Sequence, residues 1–181
     1  MLIVVGCYAA DQRDGLHLCS FDLESASFKF LDTINLASPS YLTIEPETGL
    51  LYVVNELKNE QASLVAVRVE NSKRLKVLDA FKTRGASPCH VSKWHDIVAT
   101  ANYRGGSLSL FRISPTGEIL SLLSVIKGTV GGPDMTRQCV PHIHCVLFSP
   151  DGRYLFATDF SADRIISIEL TPDGVGDRIR S

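Results

Sequence analysis

The chain has 181 residues, a length that suits one domain and leaves too little for two. Apolar residues make up 45% of it, which excludes an intrinsically disordered chain and supplies a sizeable core. The formal charge is -2, with both signs dispersed and no basic block, which argues against a nucleic-acid partner.

Three strands are expected first, over Leu2 to Val5, Leu16 to Leu23 and Phe28 to Ile34. The opening run Met1-Leu2-Ile3-Val4-Val5-Gly6 is too short for the apolar core of a secretion signal and has no basic start. Nothing in the chain approaches the ~20 apolar residues of a membrane span. A cytoplasmic protein with no membrane partner is therefore expected.

A repeat begins at Ser38-Pro39-Ser40-Tyr41-Leu42. It continues through a turn, Pro46-Glu47-Thr48-Gly49, into an apolar strand over Leu50 to Val54 that ends in Asn55-Glu56. Two further strands, Ser63 to Val69 and Leu75 to Phe81, complete the unit. A second unit opens at Ser87-Pro88-Cys89-His90-Val91, turns at Trp94-His95-Asp96 and runs through Ile97 to Ala101 into Asn102-Tyr103. Its last strands are Ser107 to Ile113, where Leu108, Leu110 and Phe111 fall among Ser109 and Arg112, and Ile119 to Ile126.

A longer connection from Gly131-Gly132-Pro133-Asp134 leads to the third opening, Pro141-His142-Ile143-His144-Cys145-Val146. The turn Ser149-Pro150-Asp151-Gly152 follows, in which Pro presets φ, Asp caps the turn and Gly accepts a positive φ. Tyr154 to Thr158, Asp159-Phe160 and Arg164 to Leu170 come next, and Asp173 to Ser181 reads as a turn.

No segment carries a sustained 3.6-residue apolar period, so no helix is expected. Short strands at this spacing mean an all-β fold, and a period near fifty residues with four strands per unit means β-propeller blades. Fourteen strands result, with the first unit short of its innermost strand and the last short of its outermost. The blades fall at 1–36, 38–83, 87–127 and 141–173 within one partial domain, about three and a half blades that cannot close a ring alone. Open blade edges invite self-association.

In an antiparallel blade the start of strand one and the end of strand two lie at the same end of the sheet. His90, His142, His144, Asn55, Glu56, Asn102, Asp159 and Arg164 are therefore expected near one rim. His142 and His144 are two apart on a strand and should face the same way; each could act as a general base toward water, or serve only as scaffold. Zinc is a third option for the pair, but two histidines need a third ligand and there is no H-E-x-x-H helix, so no metal is expected. Arg164 could stabilise an oxyanion or hold a phosphate, or form an ordinary inter-blade ion pair. Asp163 reads as a turn cap, Arg137 as a rim residue on the long connection, and Trp94 and Phe148 as packing. Five cysteines, Cys7, Cys19, Cys89, Cys139 and Cys145, are odd in number without a C-x-x-C pair, so free thiols are expected.

Ser87-Pro88-Cys89-His90-Val91, Ala101-Asn102-Tyr103 with Gly105-Gly106-Ser107, and His142-x-His144 before Ser149-Pro150-Asp151-Gly152-Arg153-Tyr154-Leu155 resemble motifs of the lactonase family of seven-bladed propellers. Val54-Asn55-Glu56 and Asp159 with Asp163-Arg164 are similar to its strand-end motifs, and the likeness runs from Gly6 to about Asp173. Family members are about twice this length, so the chain resembles the N-terminal half. The resemblance implies a carboxylic ester hydrolase that opens 6-phospho-D-glucono-1,5-lactone to 6-phosphogluconate, in the pentose phosphate pathway, without metal or organic cofactor. On that basis His142, His144 and Arg164 carry the chemistry, and Asn55, Glu56, His90, Asn102 and Asp159 hold the sugar. The alternatives are a lactonizing cycloisomerase of the carboxymuconate type, or an inactive propeller fragment with a binding role.

Overall fold

The computed structural model describes residues 1–8, 15–172 and 174–180, and among them there is no helix. A three-stranded antiparallel sheet comes first, with β1 (Leu2–Gly6), β2 (Leu16–Asp22) and β3 (Ser27–Ile34) in that order. Three four-stranded antiparallel sheets follow. They are β4 (Leu42–Glu45), β5 (Leu50–Asn55), β6 (Ser63–Val69) and β7 (Leu75–Lys82); β8 (Pro88–Trp94), β9 (Ile97–Asn102), β10 (Ser107–Ile113) and β11 (Ile119–Lys127); and β12 (Ile143–Phe148), β13 (Tyr154–Asp159), β14 (Arg164–Thr171) and β15 (Gly174–Arg180). Each sheet is a blade whose strands lie side by side in chain order.

The last strand corrects the sequence reading. The segment taken as a terminal turn is β15, paired with β14 through Leu170↔Val175, Ile168↔Ile179 and Ser167↔Arg180. Asp173 and Ser181, the ends of that reading, lie outside the described residues. The described residues thus hold fifteen strands rather than fourteen, and the fourth blade has its full set. Gly174-Val175-Gly176-Asp177 carries no apolar alternation of its own. Its strand is made by the hydrogen-bonding edge that β14 offers, a tertiary effect that sequence pattern does not carry.

Alternation along β5 shows how blades stack. Leu51 and Val53 pack with Leu16, Leu18, Val65 and Val67 against blade 1. Tyr52 and Val54 point the other way and pack with Val91, Val98 and Phe111 of blade 3. A strand buried on both faces reads as an unbroken apolar run, which is why Leu50 to Val54 shows no polar alternation. The third junction joins Ala99, Ala101, Leu108 and Leu110 to Ile143, Val146, Leu155, Ile166 and Ile168. Each fully buried Leu, Ile or Phe contributes about 1.5–3 kcal/mol over its exposed state. Tyr52 also donates its hydroxyl to Gly117 O across the junction (3.0 Å), and burial raises its phenol pKa.

The Pro-Asp-Gly turn of blade 4 seats on its neighbour: Gly152, at φ 69°, lies directly against the Trp94 indole, and any Cβ there would collide with the ring. Trp94 is thus an inter-blade contact. The two outer faces of the array stay bare. On blade 4 Leu147, Phe156 and Ile165 are exposed, and on blade 1 Phe28 and Phe30 are exposed.

Candidate functional site

Register sets the rim. Asn102 pairs with both Pro88 and Ser107, Asp159 with both Ile143 and Arg164, and Asn55 with Ser63. The start of strand one, the end of strand two and the start of strand three therefore meet at one end of blades 2, 3 and 4. Both inner strands begin with a bulge: the pairing skips Cys89 in β8 and His144 in β12. A bulge re-aims one side chain and is common beside functional sites. It also makes Ile143, not Pro141, the structural equivalent of Pro88, so the repeat is offset from the proline alignment of the sequence.

His142 precedes β12 and His144 occupies the bulge, yet both rings meet Tyr103 of blade 3. Their centroids lie 4.4 Å and 5.4 Å from the phenol ring. His142 Nδ1 is 2.8 Å from Ser161 Oγ, and Ser161 donates its one hydroxyl proton to Val140 O (2.5 Å). Ser161 Oγ can then only accept, which assigns a proton to His142 Nδ1, so that the neutral ring is the tautomer with its lone pair on Nε2.

His90 stacks on Tyr41 (4.2 Å between centroids), and its Nε2 lies 3.6 Å from Cys145 Sγ. Burial, and then the nearby His144, lower its pKa and hold it neutral. Cys89 donates its thiol to His144 O (3.4 Å), and burial followed by the Glu56 carboxylate pushes its pKa up to about 12. Glu56 accepts a hydrogen bond from the Tyr8 hydroxyl at 2.9 Å. Three buried side-chain atoms in the described residues have no protein partner: Ser40 Oγ, Asn55 Oδ1 and His90 Nδ1. All three belong to this rim; Ser40 and Tyr41 run beside the end of β5, where Val54 N bonds Tyr41 O and Glu56 N bonds Ser38 O. Buried polar atoms are normally satisfied, so three together mark a place that takes up water or a polar ligand.

Arg164 is exposed and shares with His144 a shallow depression of about 390 Å³, lined also by Thr158, Asp159, Phe160, Asp163 and Ile165. Arg137 lies over the Phe160 ring at 4.9 Å, which brings the long connection to the edge of that depression. Gln138 ties the connection down, donating to Phe160 O (2.9 Å) and Asp163 Oδ1 (2.7 Å).

Two expected sugar-binding residues are turned inward. Asn102 is 0% exposed, donating to Ser107 Oγ (3.2 Å) and Ser109 Oγ (2.9 Å) while accepting from Thr100 Oγ1 (3.1 Å). Asp159 is 1% exposed and accepts from Thr129 N (2.6 Å) and Ser161 N (3.2 Å). Both side chains act on the scaffold. The rim residues that sequence reasoning passed over are Tyr8, Tyr41, Tyr103 and Ser161. Tyr41 and Tyr103 each stand at a repeated position beside a strand end, a signal that could have flagged them; Ser161 has none.

The fold agrees with what the chain is similar to. It is 30% identical over 175 residues to the 6-phosphogluconolactonase of Bacillus subtilis, covering 94% of this chain and 49% of that protein. Among solved structures, a protein from Bacteroides uniformis assigned as a 6-phosphogluconolactonase superimposes with a TM-score of 0.88 at 35% identity, over 97% of this chain and 53% of the other. The periplasmic gluconolactonase of Pseudomonas aeruginosa superimposes with a TM-score of 0.86 at 28% identity, over 96% and 52%. The chain thus spans about half the length of the relatives it matches. The model of the lactonase family, described as a seven-bladed β-propeller, matches residues 2–176, and the chain belongs to that family.

Proposed function

We propose that the rim formed by His90, His142, His144, Glu56 and Arg164 takes part in hydrolysis of a sugar δ-lactone, with 6-phospho-D-glucono-1,5-lactone as substrate and 6-phosphogluconate as product. The observation that carries this reading is the His142 hydrogen-bond chain, which leaves Nε2 as a proton acceptor beside a rim with unsatisfied polar atoms. His142 Nε2 takes a proton from water as the water oxygen attacks the lactone carbonyl. Arg164 steadies the resulting oxyanion. The tetrahedral intermediate then expels the ring oxygen, which receives the proton from His142 and leaves as a hydroxyl. Glu56 and the free Nδ1 of His90 hold sugar hydroxyls. Relatives named for 6-phosphogluconolactone and gluconolactone support the substrate class.

The test measures hydrolysis of 6-phospho-D-glucono-1,5-lactone above its spontaneous rate, with this chain and its His142→Ala/His144→Ala variant. Catalysis by the chain that falls at least a hundredfold in the variant supports the reading; equal rates remove the histidines from the mechanism.

A binding role without catalysis is favoured by a different observation, the bare apolar rows on blades 1 and 4. Leu147, Phe156 and Ile165 form a surface suited to another blade, and self-association through it is part of this second reading. Absence of hydrolysis together with a sedimentation mass that rises with concentration would favour it.

A further inference from the structure

Between blades 2 and 3 a groove of about 450 Å³ opens at the rim end of the strands, lined by Lys58, Lys82, Arg84 and Lys127 with Glu60 as the one acid. Lys82 and Lys127 close β7 and β11, whose ends pair with Ser63 and Ser107 at the start of the third strands. Among the described residues none of Lys58, Lys82 and Arg84 has an ion-pair partner, and the Lys127 ammonium donates only to Gly105 O (3.2 Å). Four cations facing one acid stand out on a chain whose net charge is -2. Like charges gathered around a concave wall raise the local potential and draw in a multiply charged anion.

The groove is built in advance of a ligand. Thr83 donates its hydroxyl proton to Gly85 O (2.7 Å), with Ala62 O also close by (3.2 Å), while Ser87 N bonds Leu57 O and Gly105 N bonds Ala86 O. Gly85 and Gly105 form a close-packed floor: a Cβ on Gly105 would lie 2.7 Å from the backbone of Gly85 and Ala86, and one on Gly85 would lie 2.6 Å from the side chains of Asn102 and Ser107. Arg84 sits at φ 57°, a left-handed backbone that is costly for arginine and is kept by the bonded residues around it. Strain of this kind persists where it presents a functional group. The groove shares no lining residue with His90, His142 or His144.

We propose that this groove is a binding site for a phosphorylated small molecule carrying at least two negative charges, held by Lys58, Lys82, Arg84 and Lys127. The volume is within the range of small-molecule sites, and lysine ammoniums with a guanidinium suit phosphate oxygens. Glu60 sets a limit on what enters, because it repels an anion that reaches its end of the groove.

The test is calorimetric titration of the chain with inorganic pyrophosphate and with inorganic phosphate at low ionic strength. Pyrophosphate should bind saturably with one site per chain and more tightly than phosphate. The Lys58→Ala/Lys82→Ala variant should bind it at least tenfold more weakly, and Lys73→Ala/Lys76→Ala, in the turn before β7 and near the start of that strand, should bind it unchanged. Arg84→Asn gives a second readout: asparagine tolerates the left-handed backbone, so the thermal midpoint should rise while binding weakens. Unsaturable binding, or equal loss in both lysine pairs, overturns the proposal as diffuse charge attraction. A fall in thermal midpoint for Arg84→Asn, with binding retained, overturns the role given to Arg84.

Discussion

The second strands of blades 3 and 4 end in the same place and use it in opposite ways. In blade 3 the corner is Asn102 opposite Ser107, closed over itself by Thr100 and Ser109 with no exposed atom. In blade 4 it is Asp159 opposite Arg164, where the carboxylate is buried but the guanidinium stands in the open beside His144. The neutral corner spends every hydrogen bond on the blade. The charged corner turns its carboxylate inward, onto Thr129 N and Ser161 N, while its guanidinium is exposed at the rim. The Ser161 that it anchors is also the acceptor for His142, so inward and outward halves are coupled through one residue.

Breaking the closed corner should have the largest effect. Asn102→Leu strips Thr100 of its acceptor and Ser107 and Ser109 of their donor inside a dry junction. A loss of about 2–4 kcal/mol is expected, read by urea denaturation with an unchanged m-value. Adding Ser107→Ala should recover part of that loss, because an apolar pair costs less than a stranded hydroxyl. Asp159→Asn is milder, since asparagine retains one acceptor oxygen. About 1.5 kcal/mol should be lost, and the charge-assisted bond to Thr129 N should go first, visible as faster amide exchange at Thr129.

The blades themselves were open to sequence reading because each carries two kinds of local signal at once. Pro46-Glu47-Thr48-Gly49 and Ser149-Pro150-Asp151-Gly152 mark turns by backbone chemistry, and Leu50 to Val54 marks a doubly buried strand by composition. What stayed hidden was non-local. β15 has no pattern of its own and exists because β14 offers an unpaired edge. The inward turn of Asn102 and Asp159 is held by Thr100, Ser107 and Ser109 in one case and by Thr129 and Ser161 in the other, and the bulges at Cys89 and His144 are one-residue offsets that leave no mark in a single sequence. Antiparallel topology alone leads to the expectation of His90, His142 and His144 near one rim, but His142 lies ahead of β12 and His144 in its bulge, and the Ser161 bond that distinguishes His142 needed the positions of Val140 O and the hydroxyl. The basic groove was illegible for a similar reason, since Lys58, Lys82, Arg84 and Lys127 are scattered over two repeats.

His90 sharpens the contrast by pH. Its folded pKa is depressed by burial and by His144, below the ordinary 6.5. The unfolded chain therefore binds a proton first, so the stability this neutral ring contributes is present above pH 6.5 and is lost as pH falls through the folded value. A series of urea midpoints should decline below that pH, and His90→Gln should flatten the decline. Cys89, with its thiol pKa near 12, should resist iodoacetamide at pH 8 while the exposed Cys7 and Cys139 react.

The smallest stability effect belongs to Arg164→Ala. An exposed guanidinium at the start of β14 contributes little to folding even where it makes contacts, so the urea midpoint should move by no more than about 0.5 kcal/mol. That near-silence is what makes the variant informative. A residue whose removal leaves the fold intact cannot lower lactone hydrolysis through unfolding, so any fall in turnover by Arg164→Ala measures charge stabilisation at the rim. Arg164→Lys then separates charge from shape: recovery would mean that a cation suffices, and no recovery would mean that the planar fork of the guanidinium is what the oxyanion needs. A large loss of stability in Arg164→Ala would instead make the open corner of blade 4 as structural as the closed corner of blade 3, and the division of labour between them would fail.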